Sequence, residues 1–247
     1  MNKILEIDHL SKFYHTDNEE ILALKDINFH VCEGEFISIV GPSGCGKSTI
    51  LSILADLLKP SSGFIHLLNG YKVAYMLQED SLLPFRTVLD NCLLGLEITN
   101  QLTEENKQYV LTLLDTYGLS EFIHQYPNQL SGGMRQRCAL IRTLALKPDI
   151  LLLDEALSAL DYQSRLNIGR DIYQIIKKEG KTAIMVTHDI EEAISMSNRV
   201  IVLSNRPSII KNVYDIKLSS HDPIERRKDP EFSKYFDSIW RDFHEAI

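Results

Sequence analysis

Gly41-Pro42-Ser43-Gly44-Cys45-Gly46-Lys47-Ser48-Thr49 is the stretch on which the reading of this chain turns. It fits the pattern G-x-x-x-x-G-K-[ST], and both flanks that the pattern requires are in place: the apolar run Phe36-Ile37-Ser38-Ile39-Val40 before it and an amphipathic segment after it. Ile50, Leu51, Ile53, Leu54, Leu57 and Leu58 form one apolar stripe, which predicts a helix over Thr49 to Leu58. Glycines let the backbone wrap until successive N–H groups point inward, and a helix N-terminus adds its positive dipole end, so the loop reads as a cradle for phosphate. Gly41, Pro42, Ser43, Gly44, Cys45, Gly46 and Thr49 are assigned to that cradle. Lys47 is assigned to the β- and γ-phosphates of a nucleoside triphosphate, and the Ser48 hydroxyl to its magnesium ion. A glycine-rich turn without chemistry is the competing reading, and the two flanks weigh against it.

A phosphate loop of this kind needs a carboxylate at the end of a neighbouring strand. Ile150-Leu151-Leu152-Leu153 delivers Asp154 there, with Glu155 next. Adjacent side chains of a strand point to opposite sides, so both carboxylates can serve one site only if the chain turns between them. On that condition Asp154 is assigned to magnesium and Glu155 to the attacking water, as general base. Taken alone, an apolar run ending in Asp-Glu is commonplace; the phosphate loop is what gives it meaning.

Thr182-Ala183-Ile184-Met185-Val186 and Val200-Ile201-Val202-Leu203 are apolar without alternation, as are the runs before Gly41 and Asp154. Strands of that kind are covered on both faces, which favours a parallel sheet. Helical patterns lie between them, one over Gln163 to Lys178 with Gly180 as its stop. The expectation is an α/β fold. From about Arg86 to Leu146 helix signals stand alone, with Thr103 as N-cap before Glu104 and Glu105 and Gly118 as a stop, so this stretch reads as a helical lobe inserted into the α/β core. After about Pro207 come a strand-like Ser208 to Tyr214, a polar loop and a helix opened by Asp229 and Pro230. Phe232, Tyr235, Phe236, Ile239, Trp240 and Phe243 share one face of that helix, which either docks on the protein's own core or faces a partner.

The 247 residues suffice for one globular unit, and a formal charge of -8 with pI near 5.5 leaves no basic field that would draw nucleic acid. The opening MNKILEIDHL breaks its apolar run with Glu6 and Asp8, so no signal peptide is expected, and no run approaches the roughly 20 apolar residues that span a bilayer. Cys32, Cys45, Cys92 and Cys138 are scattered, against a disulfide framework or a structural metal site. A cytoplasmic location is the expectation.

Leu130-Ser131-Gly132-Gly133-Met134-Arg135-Gln136-Arg137 is a second anion cradle at a helix start, and one nucleotide does not need two in one chain. Here the chain resembles the ATP-binding cassette family: this string looks like the family's signature sequence, and the phosphate loop and Asp154-Glu155 stand in the family's order. The resemblance implies a P-loop ATPase with a RecA-like core and antiparallel β-subdomain over 1–85 and 147–205, a helical signature subdomain over 86–146 and a C-terminal strand and helix over 206–247. It implies Mg-ATP as ligand and a head-to-tail dimer in which Ser131, Gly132 and Gly133 close on the γ-phosphate held by the opposite subunit. Gln78 resembles the glutamine that touches magnesium and the lytic water and links core to lobe. Ser158-Ala159-Leu160-Asp161 resembles the loop crossing the dimer interface, with Asp161 its polar member, and His188 the histidine that contacts the γ-phosphate. Tyr14, with Phe13 second, is the aromatic expected to stack on adenine.

Leu82 to Asn91, the Met134-Arg135-Gln136-Arg137 end of the signature and His188-Asp189-Ile190-Glu191-Glu192-Ala193 are similar to cassettes of the nitrate, sulfonate and taurine import group. That likeness implies a peripheral protein on the cytoplasmic side of the membrane, paired with permease subunits that dock beside Gln78 to Asn91, and acting indirectly with an extracytoplasmic solute-binding protein. Three positions depart from the pattern: Ala156 for a proline after the catalytic glutamate, Asp56 for a glycine in the helix after the phosphate loop, and Ile141 for an alanine after the signature. The first loosens a fixed φ beside Glu155 and keeps open a weakly hydrolysing regulatory subunit. A non-transport cassette ATPase of DNA repair or translation is the other alternative, and the lack of a second cassette, long coiled coil or basic surface speaks against it.

Overall fold

The computed structural model describes residues 2–15, 19–68, 70–158 and 161–244. In chain order these form β1 (Lys3–His15), β2 (Glu20–Cys32), β3 (Phe36–Val40), α1 (Lys47–Leu54), β4 (Ser62–Leu67), β5 (Val73–Met76), α2 (Val88–Ile98), α3 (Glu104–Thr116), α4 (Gly132–Leu144), β6 (Ile150–Asp154), α5 (Tyr162–Lys178), β7 (Thr182–Thr187), α6 (Ile190–Met196), β8 (Arg199–Leu203), β9 (Ile210–Asp215), α7 (Pro223–Arg226) and α8 (Pro230–His244). A six-stranded sheet runs β5-β6-β7-β3-β8-β9, parallel except for β9, and a three-stranded antiparallel sheet runs β2-β1-β4. The α/β expectation holds.

The unbroken apolarity of the parallel strands has a simple cause. Alternate residues of one strand enter two cores on opposite faces of the sheet. Phe36, Leu151, Leu153 and Met185 pack with Cys92, Val110 and Leu140 of the helices between β5 and β6. Ile37, Ile39, Leu152 and Ile184 pack instead with Ile50 and Leu51 of α1 and with Ile7 and Ile27 of the antiparallel sheet. Burying each such aliphatic side chain contributes about 1.5–3 kcal/mol, and a one-residue slip would move every one of them to the wrong core.

Register then places the chemistry. Val40 lies opposite Thr187, and Asp154 opposite Val186, so β3, β7 and β6 end level with one another. The loops that leave them, 41–46, 188–189 and 155–158, therefore emerge along one edge, the carboxyl edge where α/β folds hold ligands.

The helices after β5 start where their side chains can satisfy free N–H groups. Thr87 and Asp90 form a capping box on α2, and Thr103 accepts the Asn106 N–H on α3. Gly118 ends the α3 segment at φ 72. Ile141 is fully buried in the core shared by these helices and the sheet, so its departure from alanine is a packing change.

Two segments differ from their sequence expectation. The first helix spans Lys47–Leu54, beginning two residues earlier and stopping four residues short of Leu58. Asp56 lies beyond its end with φ 57, not inside the helix as read from the sequence. A glycine takes that left-handed conformation freely, whereas aspartate there costs about 1 kcal/mol. The last strand begins at Ile210 rather than Ser208, because Ser208 is used to bridge the sheets: its N–H donates to the Ala23 carbonyl at 3.0 Å and its carbonyl accepts from the Lys25 N–H at 2.9 Å. On α8, Phe232 and Ile239 are buried and Tyr235, Phe236 and Phe243 pack on the Ile190, Ile194 and Val202 cluster, while Trp240 stays 49% exposed.

Candidate functional site

The turn after β3 is held in shape from inside. Gly46 has φ 113, a backbone that L side chains rarely adopt, and a Cβ there would meet the Leu24 side chain at 2.8 Å, so glycine alone fits without strain or displacing Leu24. α1 has no side-chain N-cap, which leaves its first N–H groups free to meet an anion. Lys47 is buried, and its ammonium donates to the carbonyls of Gly41 at 2.8 Å and Pro42 at 3.0 Å. A single cation thus ties the start of the loop to the residue that follows it.

β6 brings its carboxylates to the same place. The Ser48 hydroxyl donates to Asp154 Oδ1 at 3.0 Å, and the Tyr75 hydroxyl to Asp154 Oδ2 at 2.6 Å. Burial, and then the Asp154 carboxylate itself, push the Tyr75 hydroxyl above its ordinary range, so it remains a donor. Glu155 has φ 44, the turn that the sequence reading required for both carboxylates to serve one site. Its Oε2 accepts from Gln78 Nε2 at 3.2 Å and its Oε1 lies 3.4 Å from His188 Nδ1. Residues just beyond β5 and β7 thus converge on the carboxylate just beyond β6.

A cavity of about 380 Å³ opens over these groups, lined among others by Tyr14, Ser43, Lys47, Ser48, Gln78 and Glu155. That volume is in the range of small-ligand sites. The Tyr14 hydroxyl lies 3.2 Å from Thr49 Oγ1, which places the ring at the end of the phosphate loop. Ser48 and Asp154 offer hard oxygen donors, the kind magnesium takes while keeping waters and substrate oxygens as its other ligands. Among the described residues no group of three or more His, Cys, Asp or Glu side chains could form a metal cage.

Ser131, Gly132, Gly133 and Asp161 do not line this cavity. Ser131 instead caps α4, accepting the Met134 N–H at 3.3 Å, and Asp161 caps α5, accepting the Ser164 N–H at 3.0 Å. Hydrogen bonds from Ser164 hold the Asp161 carboxyl below the usual range. Ala159 and Leu160 lie outside the described residues. The loop after Gln78 is tied to α4: Arg135 Nε donates to Asp80 Oδ2 at 2.9 Å, and Arg142 Nη2 to the Asp80 carbonyl at 2.6 Å. The helix carrying the second cradle is thereby hydrogen-bonded to the segment that follows Gln78.

Tyr75 and Arg206 were not singled out from the sequence. Tyr75 looks like any alternating strand residue until β5 pairs with β6. Arg206, far along the chain, lines the cavity and donates from Nε to the Gly44 carbonyl at 2.5 Å.

His188 is held by its neighbours. The Thr187 hydroxyl donates to buried Glu192 at 2.5 Å and accepts the Asp189 N–H at 3.0 Å, which fixes the backbone on both sides of the histidine. Burial pushes the Glu192 carboxyl up from an ordinary 4.5 to about 7. A carboxyl raised on folding contributes stability that is whole below its unfolded value and lost as pH rises through its folded value. The free energy of unfolding should therefore fall by about 3 kcal/mol as pH climbs from about 4.5 to about 7 and level off above that. Glu192→Gln should flatten this profile; urea melts of both proteins from about pH 5 to about pH 8.5 check it, and an unchanged slope in the variant would place the titration elsewhere.

A family model described as ABC transporter matches residues 24–158. The chain is 44% identical over 249 residues to the uncharacterized ABC transporter ATP-binding protein YtlC of Bacillus subtilis, covering 97% of this chain and 95% of that one. It is 37% identical over 248 residues to the nitrate import ATP-binding protein NrtD of Synechocystis, covering 95% and 93%. With the aliphatic sulfonates import ATP-binding protein SsuB 1 of Shouchella clausii it shares 43% identity over 195 residues, covering 79% and 76%. Among solved structures, a dimeric post-hydrolysis state of the ATP-binding cassette MJ0796 bound to ADP and Pi is similar at TM-score 0.73 and 32% identity, covering 87% of this chain and 99% of that one.

Proposed function

The chain belongs to the ABC transporter family as an ATP-binding, ATP-hydrolysing subunit, and on that footing we propose that it works as one half of a head-to-tail pair that drives import of a small solute. The observation that carries the pairing is a half-built phosphate site. Lys47, Ser48, Asp154, Glu155, Gln78 and His188 gather at one edge of the sheet, while the second anion cradle, Ser131-Gly132-Gly133, stands outside that cavity. A second copy rotated by half a turn would bring its cradle over the first copy's cavity, and its own cavity would be covered in return.

In this scheme the loop N–H groups and Lys47 bind the triphosphate, Tyr14 stacks on adenine and the partner's cradle covers the γ-phosphate. Ser48 and Asp154, with Gln78, would hold a magnesium ion that neutralises charge between the phosphate oxygens. Glu155 accepts a proton from the attacking water, and Gln78 and His188 hold its carboxylate in place. Once the γ-phosphate leaves, the bridge between the two subunits is gone, and the difference in binding energy between closed and open pairs can move attached membrane subunits. The exposed Leu77 and Phe85 flank the loop after Gln78, a fitting contact for a permease. The protein would then sit peripherally on the cytoplasmic face of the membrane. Cargo would be a small oxyanion or sulfonate, such as nitrate, an aliphatic sulfonate or taurine, delivered by an extracytoplasmic solute-binding protein; the nitrate and sulfonate import relatives support this choice.

The pairing is tested by Ser131→Arg. Turnover should fall about 10²-fold through loss of the trans cradle, while ATP affinity of the monomer, measured with a fluorescent analogue, should stay within about twofold. Lost monomer affinity would put Ser131 in its own chain's site and remove the argument for the pair.

A further inference from the structure

Arg206 stands on the loop between β8 and β9, and this loop is anchored at both ends. The Ser208 hydroxyl donates to the carbonyls of Cys45 and Ser204, and the Ser208 backbone bridges Ala23 and Lys25 of β2. The loop therefore has little freedom relative to the phosphate loop or to the sheet that carries Tyr14. From it the Arg206 guanidinium reaches the phosphate loop, with Nε on the Gly44 carbonyl and Nη2 2.9 Å from where a Cβ on Gly44 would stand. Among the described residues it has no carboxylate partner, although the chain carries 34 acidic residues. Among the described residues the charged side chains lining the cavity are Lys47, Arg206 and Glu155, so within that set Arg206 is the one cation besides the buried lysine.

We propose that Arg206 is a phosphate-binding residue of the nucleotide site, its guanidinium adding a second positive charge, besides that of Lys47, for the anionic phosphate chain. This deepens the ATP-site reading and rests on it. One N–H fixes the side chain to the loop, and the fork keeps its other donors for a ligand in the cavity that Arg206 lines. A planar, always-charged group pinned at one edge loses little entropy when phosphate arrives. Its contribution grows with the charge of the ligand: largest for a triphosphate, smaller for a diphosphate, absent for adenosine.

The test is Arg206→Gln, which keeps an N–H donor of similar reach and removes the charge, titrated with ATP, ADP and adenosine at low and moderate salt. ATP affinity should fall about tenfold, ADP affinity less and adenosine affinity not at all, and the salt dependence of ATP binding should become shallower. The melting temperature without nucleotide should match the parent. Equal losses for all three ligands, or a lowered nucleotide-free melting temperature with salt dependence unchanged, would make Arg206 a loop brace and overturn the assignment, as would parental ATP affinity. Lys47→Ala is the control that separates the two levels. If it loses ATP while Arg206→Gln does not, the ATP site stands and this inference falls; if the parent itself binds no ATP, the site reading falls first.

Discussion

Glu155→Gln should lower ATP turnover about 10³-fold while leaving ATP affinity within about twofold of the parent. The substitution removes a base and little else, because the amide can keep both contacts the carboxylate makes. Its oxygen can accept from Gln78 Nε2, 3.2 Å away from Oε2 now, and the amide's other end stays beside His188 Nδ1, 3.4 Å from Oε1. The left-handed turn at φ 44 costs a glutamine side chain the same as a glutamate. Lys47 and the phosphate loop are untouched, so the triphosphate still binds and both cradles still close on it. A pair that closes but cannot hydrolyse should accumulate, visible as a dimer on gel filtration with Mg-ATP and as monomer without it. Phosphate release at the parental rate would remove Glu155 from the role of base, and Ala156 beside it would then lose its interest as a modulator of that base.

Several parts of this site were legible because they depend on few neighbours. The phosphate loop needs a strand before it, glycines inside it and a helix after it, and all three lie within 36–54, so local sequence suffices. The pairing of Asp154 with Glu155 was legible only as a condition, that the chain must turn; φ 44 at Glu155 meets it, yet nothing in Leu153-Asp154-Glu155-Ala156 announces a left-handed residue. Tyr75 and Arg206 were illegible for a different reason. Their place beside Asp154 and Gly44 follows from strand order, since β5 joins the sheet through β6, and β8 lies on the far side of β3. No short-range pattern encodes a neighbour that the chain reaches only after crossing the sheet. The first helix was read too long because Leu57 and Leu58 continue its apolar stripe; the left-handed backbone at Asp56 ends it, and Leu57 is left 69% exposed. The stripe on α8 was legible as a face, and the fold decides what the face meets: the α6 and β8 cluster for most of it, with Trp240 stacked on Phe236 and His244 at its rim.

Lys47→Ala should abolish high-affinity nucleotide binding, with ATP affinity down roughly 10³-fold, because it removes a buried cation that the cavity offers to phosphate. Charge-assisted hydrogen bonds from a desolvated ammonium are stronger than those from an exposed one, since little water competes. The same residue also does a structural task that the substitution exposes. Its ammonium now bonds the carbonyls of Gly41 and Pro42, and without it both acceptors must find water. The cavity is open to solvent, so that loss should cost stability only about 1 kcal/mol, a small fraction of what the ligand loses. The two effects separate in one experiment: thermal melts with and without Mg-ATP. The variant should melt close to the parent in the absence of nucleotide and should lose the upward shift that ATP gives the parent, because stabilisation by a ligand scales with its concentration over Kd. Lys47→Arg restores the charge but carries a longer, planar head into a pocket whose floor is two backbone carbonyls, and it should bind ATP no better than the alanine variant. Full rescue by arginine would mean that the phosphate loop reads charge alone and that the fit of the ammonium between Gly41 and Pro42 carries no weight.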